Sequence, residues 1–244
     1  MVTIRAVIFD FIGTLTELVG YSLEMARRKL FKSLVDDGCN LTLEDFSAAY
    51  DTAHRKYREI RYRQLVEVAN AVWVSEALNH LGYNTTPQER VVKTGVNVFF
   101  EDYLEALQLR PFTKSTLQSL SQNFKVGLIS NFTYAPVIYA ALRRLAINDF
   151  FDVVLVSEAV GWRKPSARIF KEALKRLHVE AYEAVFVGDS PIEDIQGAKK
   201  TGFKTVFIRS QFNSLDDMQK AAQPPDYSIE ELSEILEILD ILQP

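Results

Sequence analysis

Cysteine is almost missing from this chain: Cys39 stands alone among 244 residues. One thiol excludes an internal disulfide and fits a reducing compartment. A thiol catalyst is also disfavoured, because the flanking DDGCNLT stretch holds no basic residue to lower the pKa of Cys39. Long apolar runs are missing too. None approaches the roughly 20 residues that cross a bilayer, and the N-terminus does not follow the basic-then-apolar plan of a secretory signal. Positive charge is not in excess either, with 28 Lys and Arg against 32 Asp and Glu and a net charge of -4. That balance argues against nucleic acid or an anionic membrane as partner. The expectation is a soluble, cytoplasmic protein. A last absence is local. In VIFDFIGTLT, Val7 to Thr16, an apolar run ends at Asp10, yet the position two residues on, where a second acid would assist it, is Ile12.

What is present is an ordinary globular composition, 48% hydrophobic and 25% charged. Five short β-branched and aromatic runs recur: IRAVIF (4–9), KVGLIS (125–130), DVVLVS (152–157), EAVFVG (183–188) and KTVFIR (204–209). Each is apolar in its centre and ends in or is followed by Gly, Ser, Asn or Asp, the pattern of strands buried on both faces. Helical periods fill the gaps, as at 135–146 and 165–177. Strand and helix in alternation predict a Rossmann-like α/β core, a parallel sheet flanked by helices.

Between Thr16 and Leu109 no such strand occurs. Amphipathic helices are predicted over 21–37, 43–60, 62–82 and 87–108, with caps at Thr42 and Thr86 and stops at Gly38 and Gly82. The chain therefore divides into a core of residues 1–16 and 110–244 and an inserted all-α cap of residues 17–109. The tail, 224–242, predicts a last helix after Pro225 whose Leu and Ile residues dock on the sheet.

Ligands of open parallel sheets bind at the carboxyl ends of the strands. Residues that follow the strands here are Asp10, Gly13 and Thr14; Ser130 and Asn131; Arg163, Lys164 and Pro165; and Asp189, Ser190 and Asp194. Three carboxylates, Asp10 from one loop and Asp189 and Asp194 from another, suit a hard divalent cation such as Mg2+. Such an ion lets a carboxylate attack an anionic phosphate, and a lysine matches the charge that develops on it. The basic run HRKYREIRYR (54–63) reads as a solvated helix face, or as a cap surface that meets an anionic substrate through Arg55, Arg58 and Arg61.

Together, Asp10 with Gly13-Thr14, Ser130-Asn131, Lys164-Pro165 and Gly188-Asp189-Ser190 with Asp194 resemble the four motifs of the haloacid dehalogenase superfamily, in order and along nearly the whole chain. The helical insert is similar to the cap of one large subfamily. The resemblance implies that Asp10 is a nucleophile that forms an aspartyl-phosphate and also a metal ligand. It implies phosphate binding by Thr14, Ser130 and Asn131, and neutralisation of charge by Lys164. Mg2+ would be held by Asp10, the backbone carbonyl of Ile12 and Asp189, with Asp194 ligating directly, through water, or by orienting Lys164.

Most phosphatases of this family carry Asp where this chain has Ile12. Ile12 neither protonates a leaving oxygen nor activates water, a loss of on the order of 10² to 10⁴ in rate. The expectation is a Mg2+-dependent phosphohydrolase acting on a small phosphorylated metabolite, best on good leaving groups such as aryl and acyl phosphates. Two alternatives stand beside it. One is a catalytically weakened member that binds a phosphorylated ligand or a protein. The other is a 2-haloacid dehalogenase, which needs no proton for its halide but has Ser where this chain has Asp189. A phosphonatase would need a cap lysine, for which Lys29 and Lys32 are the candidates.

Overall fold

The computed structural model describes residues 3–219 and 221–242. β1 (Ala6–Phe9) is buried on both faces, with Val7 and Phe9 in one core cluster and Ala6 and Ile8 in another, as the period of two requires. The chain then leaves through β2 (Thr16–Leu18) into four helices: α1 (Leu23–Asp36), α2 (Leu43–Gln64), α3 (Asn70–His80) and α4 (Arg90–Ala106). It returns through β3 (Leu107–Leu109), which pairs antiparallel with β2, Thr16 opposite Leu109. The sequence did not indicate this two-stranded ribbon, because three-residue strands carry no readable alternation.

Helix ends follow the expected chemistry only in part. The Thr42 side chain accepts from the Asp45 amide at the start of α2, and Gly38 and Gly82 follow α1 and α3 with φ of 98° and 90°. Thr86 is not a cap. Thr85 is tied to Asn79 and Ser75, which holds the chain in a loop until α4 starts at Arg90. The helix expected over 62–82 is also shorter. α2 runs on to Gln64, Leu65 turns left-handed, and the chain then pairs with residues 161–163, Val66 bridging Trp162, before α3.

The remaining elements alternate: α5 (Thr113–Leu120), β4 (Lys125–Ser130), α6 (Ala135–Arg144), β5 (Val153–Val156), α7 (Ser157–Val160), α8 (Ala167–Leu177), β6 (Ala184–Gly188), α9 (Gly197–Thr201), β7 (Lys204–Ile208), α10 (Leu215–Gln219), β8 (Tyr227–Ile229) and α11 (Ile235–Leu242). Among the described residues the sheet has the order β5-β4-β1-β6-β7-β8, with every neighbour parallel. β8 corrects the tail: Asp226 accepts from the amide and hydroxyl of Thr205, both at 2.8 Å, which lays residues 227–229 along β7 before the helix begins. Ile235, Ile238 and Leu239 of α11 are buried, as the apolar period predicts. No described helix is long and apolar enough to cross a membrane.

The strand order reverses at β1. The chain builds outward through β4 and β5 on one side, then crosses to β6 and β7 on the other. Loops leaving β1, β4 and β6 are thereby gathered at one switch point, the place where open α/β sheets bind ligands.

Candidate active site

Asp10 follows β1 directly, and its amide continues the ladder to Val187 O at 2.9 Å. Lys164, whose side chain is 1% exposed, lies between two carboxylates. Its Nζ is 2.6 Å from Asp10 Oδ1, 2.6 Å from Asp194 Oδ1 and 2.9 Å from the carbonyl of Ile129. Burial works against this ammonium, but Asp10 and Asp194 more than offset it and hold its pKa above the ordinary lysine value. Asp189 accepts from Ser210 Oγ at 2.6 Å and Asn213 Nδ2 at 3.1 Å. Asp194 accepts from the Ser190 amide at 2.8 Å.

Oxygens of Asp10, Asp189 and Asp194 lie within 4.8 Å of one another, all three residues buried. Their electrostatics match that crowding. Burial pushes the Asp10 carboxyl up to about 6, opposed by Lys164 and reinforced by Asp189. Burial and then Asp194 push Asp189 up to about 6, and burial pushes Asp194 up to about 7 against the pull of Lys164. Three acids share one lysine, so the cluster is short of positive charge, and Asp10 Oδ2 has no hydrogen-bond partner. A set of hard oxygen donors with an orphaned carboxylate oxygen fits a divalent cation such as Mg2+.

Two glycines make the crowding possible. Gly13 has φ of 98°, and a β-carbon there would stand 2.5 Å from Asp189 Oδ2. A β-carbon on Gly188 would overlap the Asp194 side chain. Close approach of backbone to carboxylate is the reason these positions are glycine.

The other expected residues divide. Ser130 and Asn131 line the cavity of about 350 Å³ that contains Asp10, Ile12 and Lys164. Thr14 is fully buried and its hydroxyl has no partner. The Asn131 side chain is already occupied: it donates to Lys164 O at 2.9 Å and accepts from Lys164 N at 2.8 Å, which clamps the lysine loop. A parallel bridge joins Ile12 to Thr16 through the Gly13 amide and the Phe11 carbonyl, leaving the Ile12 carbonyl oxygen out of both bonds. Lys29 pairs with Asp102 at 2.5 Å and Lys32 with Asp36 at 2.7 Å, and neither lines the cleft.

Sequence reasoning missed several supports. Ser210 and Asn213 orient Asp189 from the loop after β7. Glu193 accepts from Asn131 and pairs with Arg163 at 2.8 Å. Glu67, in the segment between α2 and α3, has a fully buried side chain that pairs with Arg61 at 2.5 Å and accepts from Ser157 at 2.6 Å, fastening the helical insert to the start of α7. The basic run also splits: Arg55 and Arg58 are exposed, whereas the Arg61 side chain is 11% exposed. The spacing of Tyr50, His54 and Arg61 on one helix face was the available signal.

A family model described as haloacid dehalogenase-like hydrolase matches residues 4–202, and the chain belongs to that family. It is a hydrolase. Among its relatives, the glyceraldehyde 3-phosphate phosphatase of Methanocaldococcus jannaschii is 30% identical and aligns over 98% of this chain and 99% of that one. The ribulose-1,5-bisphosphate 5-phosphatase of Halopiger xanaduensis is 34% identical over 59% of this chain and 62% of its own. A solved 2-haloacid dehalogenase from Pseudomonas syringae superposes with a TM-score of 0.72 at 26% identity, covering 98% of this chain and all of that one (100%).

Proposed function

We infer that the protein is a Mg2+-dependent phosphatase that cleaves a small phosphorylated metabolite through an aspartyl-phosphate on Asp10. The observation that carries this reading is the trio Asp10, Asp189 and Asp194 around a single lysine, with one oxygen of Asp10 unpartnered. Mg2+, when bound by these carboxylates and the Ile12 carbonyl, supplies the positive charge that lets an anionic phosphate approach Asp10.

The chain's own groups do the rest. Asp10 attacks phosphorus with an oxygen, the phosphorus–oxygen bond to the leaving group breaks, and the electron pair departs with that group. Lys164 keeps Asp10 ionised and oriented, and offers a fixed charge to the transferring phosphoryl group. Ser130 and the orphaned Thr14 hydroxyl are the donors for its oxygens, while Asn131 acts through Lys164. Water then releases phosphate from Asp10. Ile12 adds no proton to the leaving oxygen and takes none from that water, so aryl and acyl phosphates turn over faster than alkyl esters. Residues 1–16 and 110–244 form the reacting core and 17–109 the cap that closes over the substrate and selects it.

Dehalogenation is the second reading, favoured by Ile12 and by the likeness to a 2-haloacid dehalogenase. Asp189 opposes it, since without a cation a third buried carboxylate repels both Asp10 and a carboxylate substrate. A screen of phosphorylated metabolites and 2-haloacids, with Mg2+ or with chelator, decides. Phosphate release that needs Mg2+ is expected. Halide release undiminished by chelator would reverse the assignment, and neither product would leave a binding role.

A further inference from the structure

The cleft does not end at the nucleophile. Its cavity shares Tyr103, Asn131 and Phe132 with a second cavity of about 490 Å³, lined by residues of α1 to α4. Phosphoryl transfer at Asp10 makes no use of that space. The charged side chains lining it are Arg27, Arg61 and Asp51, beside the imidazole of His54. Two guanidiniums face one carboxylate, and Asp51 is 48% exposed, where water weakens its hold on Arg27. Glu67, the partner of Arg61, is divided between Arg61 and Arg163. Burial lowers the His54 pKa, and Arg61, Arg27 and Arg58 lower it further, the mark of a positive potential.

The rings in this cavity support the cations. The Arg27 guanidinium lies 4.6 Å from the Tyr50 ring centre and Arg61 lies 5.8 Å from that of Trp73. His54 packs on both rings, at 6.0 and 5.5 Å. A ligand meeting this wall therefore finds charge more than bare ring faces, which suits an anion better than a stacked base. Asn70 adds a second demand. It is 2% exposed and its Oδ1 has no partner, so a buried acceptor there needs a donor from the ligand.

Resting on the phosphatase reading, we propose that the substrate carries a second anionic group, a carboxylate or another phosphate, held by Arg27 and Arg61 while its ester phosphate sits at Asp10. A hydroxyl of the same molecule donates to Asn70 Oδ1. The substrate class is thus a hydroxylated carbon chain with an anion at each end.

Matched pairs test this. Hydrolysis of 3-phosphoglycerate is compared with glycerol 3-phosphate, which isolates a carboxylate. Fructose 1,6-bisphosphate is compared with fructose 6-phosphate, which isolates a phosphate. The member with the second anion is expected to have kcat/KM about tenfold or more higher in at least one pair, chiefly through KM, and Arg27→Gln should bring that ratio close to one. Ratios near one in both pairs for the wild type overturn the proposal, whether or not the variant folds. Calorimetric binding of the same pairs to the Asp10→Asn protein separates the two layers. Tighter binding of the two-anion member without turnover by the wild type would uphold the seat and sink the phosphatase reading. Equal binding overturns the seat whatever the turnover.

Discussion

Gly13 and Asp189 occupy one corner of the site, so close that a β-carbon on residue 13 would stand 2.5 Å from Asp189 Oδ2. Ser210 and Asn213 hold that oxygen from the other side, so it has little room to retreat. Gly13→Ala therefore meets a clash and a left-handed backbone at once. It is expected to destabilise the protein by about 1–3 kcal/mol in urea unfolding and to weaken Mg2+ binding measured by calorimetry. Wild-type Mg2+ affinity in that variant would show that Asp189 is not a ligand.

Lys164 is the next test. Its ammonium is the counter-charge of both Asp10 and Asp194 within a nearly dry site. Lys164→Met leaves those carboxylates buried and unpaired, an imbalance that costs about 3–5 kcal/mol at neutral pH. Denaturant unfolding in chelator should show the loss, and phosphate release should vanish. A stable variant with normal turnover would place the essential cation elsewhere.

The legibility of these features in the sequence was uneven, for physical reasons. Asp10 and Asp189 were readable because each directly follows a buried strand, and Lys164 and Asp194 because they lie a short way beyond one; such strands advertise themselves as apolar runs. β2, β3 and β8 were not, because three residues do not make a pattern and their pairing partners, as far apart as Thr16 and Leu109, are joined only by tertiary bonds such as Asp226 to Thr205. Arg61 looked solvated because a helix period does not say which neighbour covers a charged face. Glu67 gave no signal at all, since its partners Arg61, Ser157 and Arg163 are brought together by the chain crossing after α2.

Stability should respond to pH in the direction set by the three acids. With metal chelated, Asp10 and Asp189 have folded pKa values of about 6 and Asp194 about 7, all above the ordinary 3.8. The folded chain then binds more protons than the unfolded one between these values, so stability falls as pH rises through about 4 to 7. Mg2+ binding to the deprotonated folded cluster should restore stability, most at the upper end. Thermal unfolding at stepped pH, in EDTA and in Mg2+, checks both. A Tm in EDTA that rises across that window would refute the crowded-carboxylate description.

Ile12 lines the cleft beside Asp10 and Lys164. Ile12→Asp places a proton donor and acceptor there, and should raise kcat for alkyl phosphates by about 10²-fold or more while raising aryl phosphates less. Steady-state kinetics over a series of leaving groups reads this as a shallower dependence on leaving-group pKa. An unchanged series would mean that another group already moves the proton.

The covalent step itself is open to a direct assay. Ile12 provides no base to activate the water that releases the enzyme, so phosphorylated Asp10 should accumulate during turnover of an aryl phosphate with Mg2+. Acid quenching followed by peptide mass spectrometry should find one added phosphoryl group on the peptide containing Asp10, absent in chelator and in Asp10→Asn. Phosphate release with no phosphoryl group on Asp10, or with the group on another residue, would contradict nucleophilic attack by Asp10.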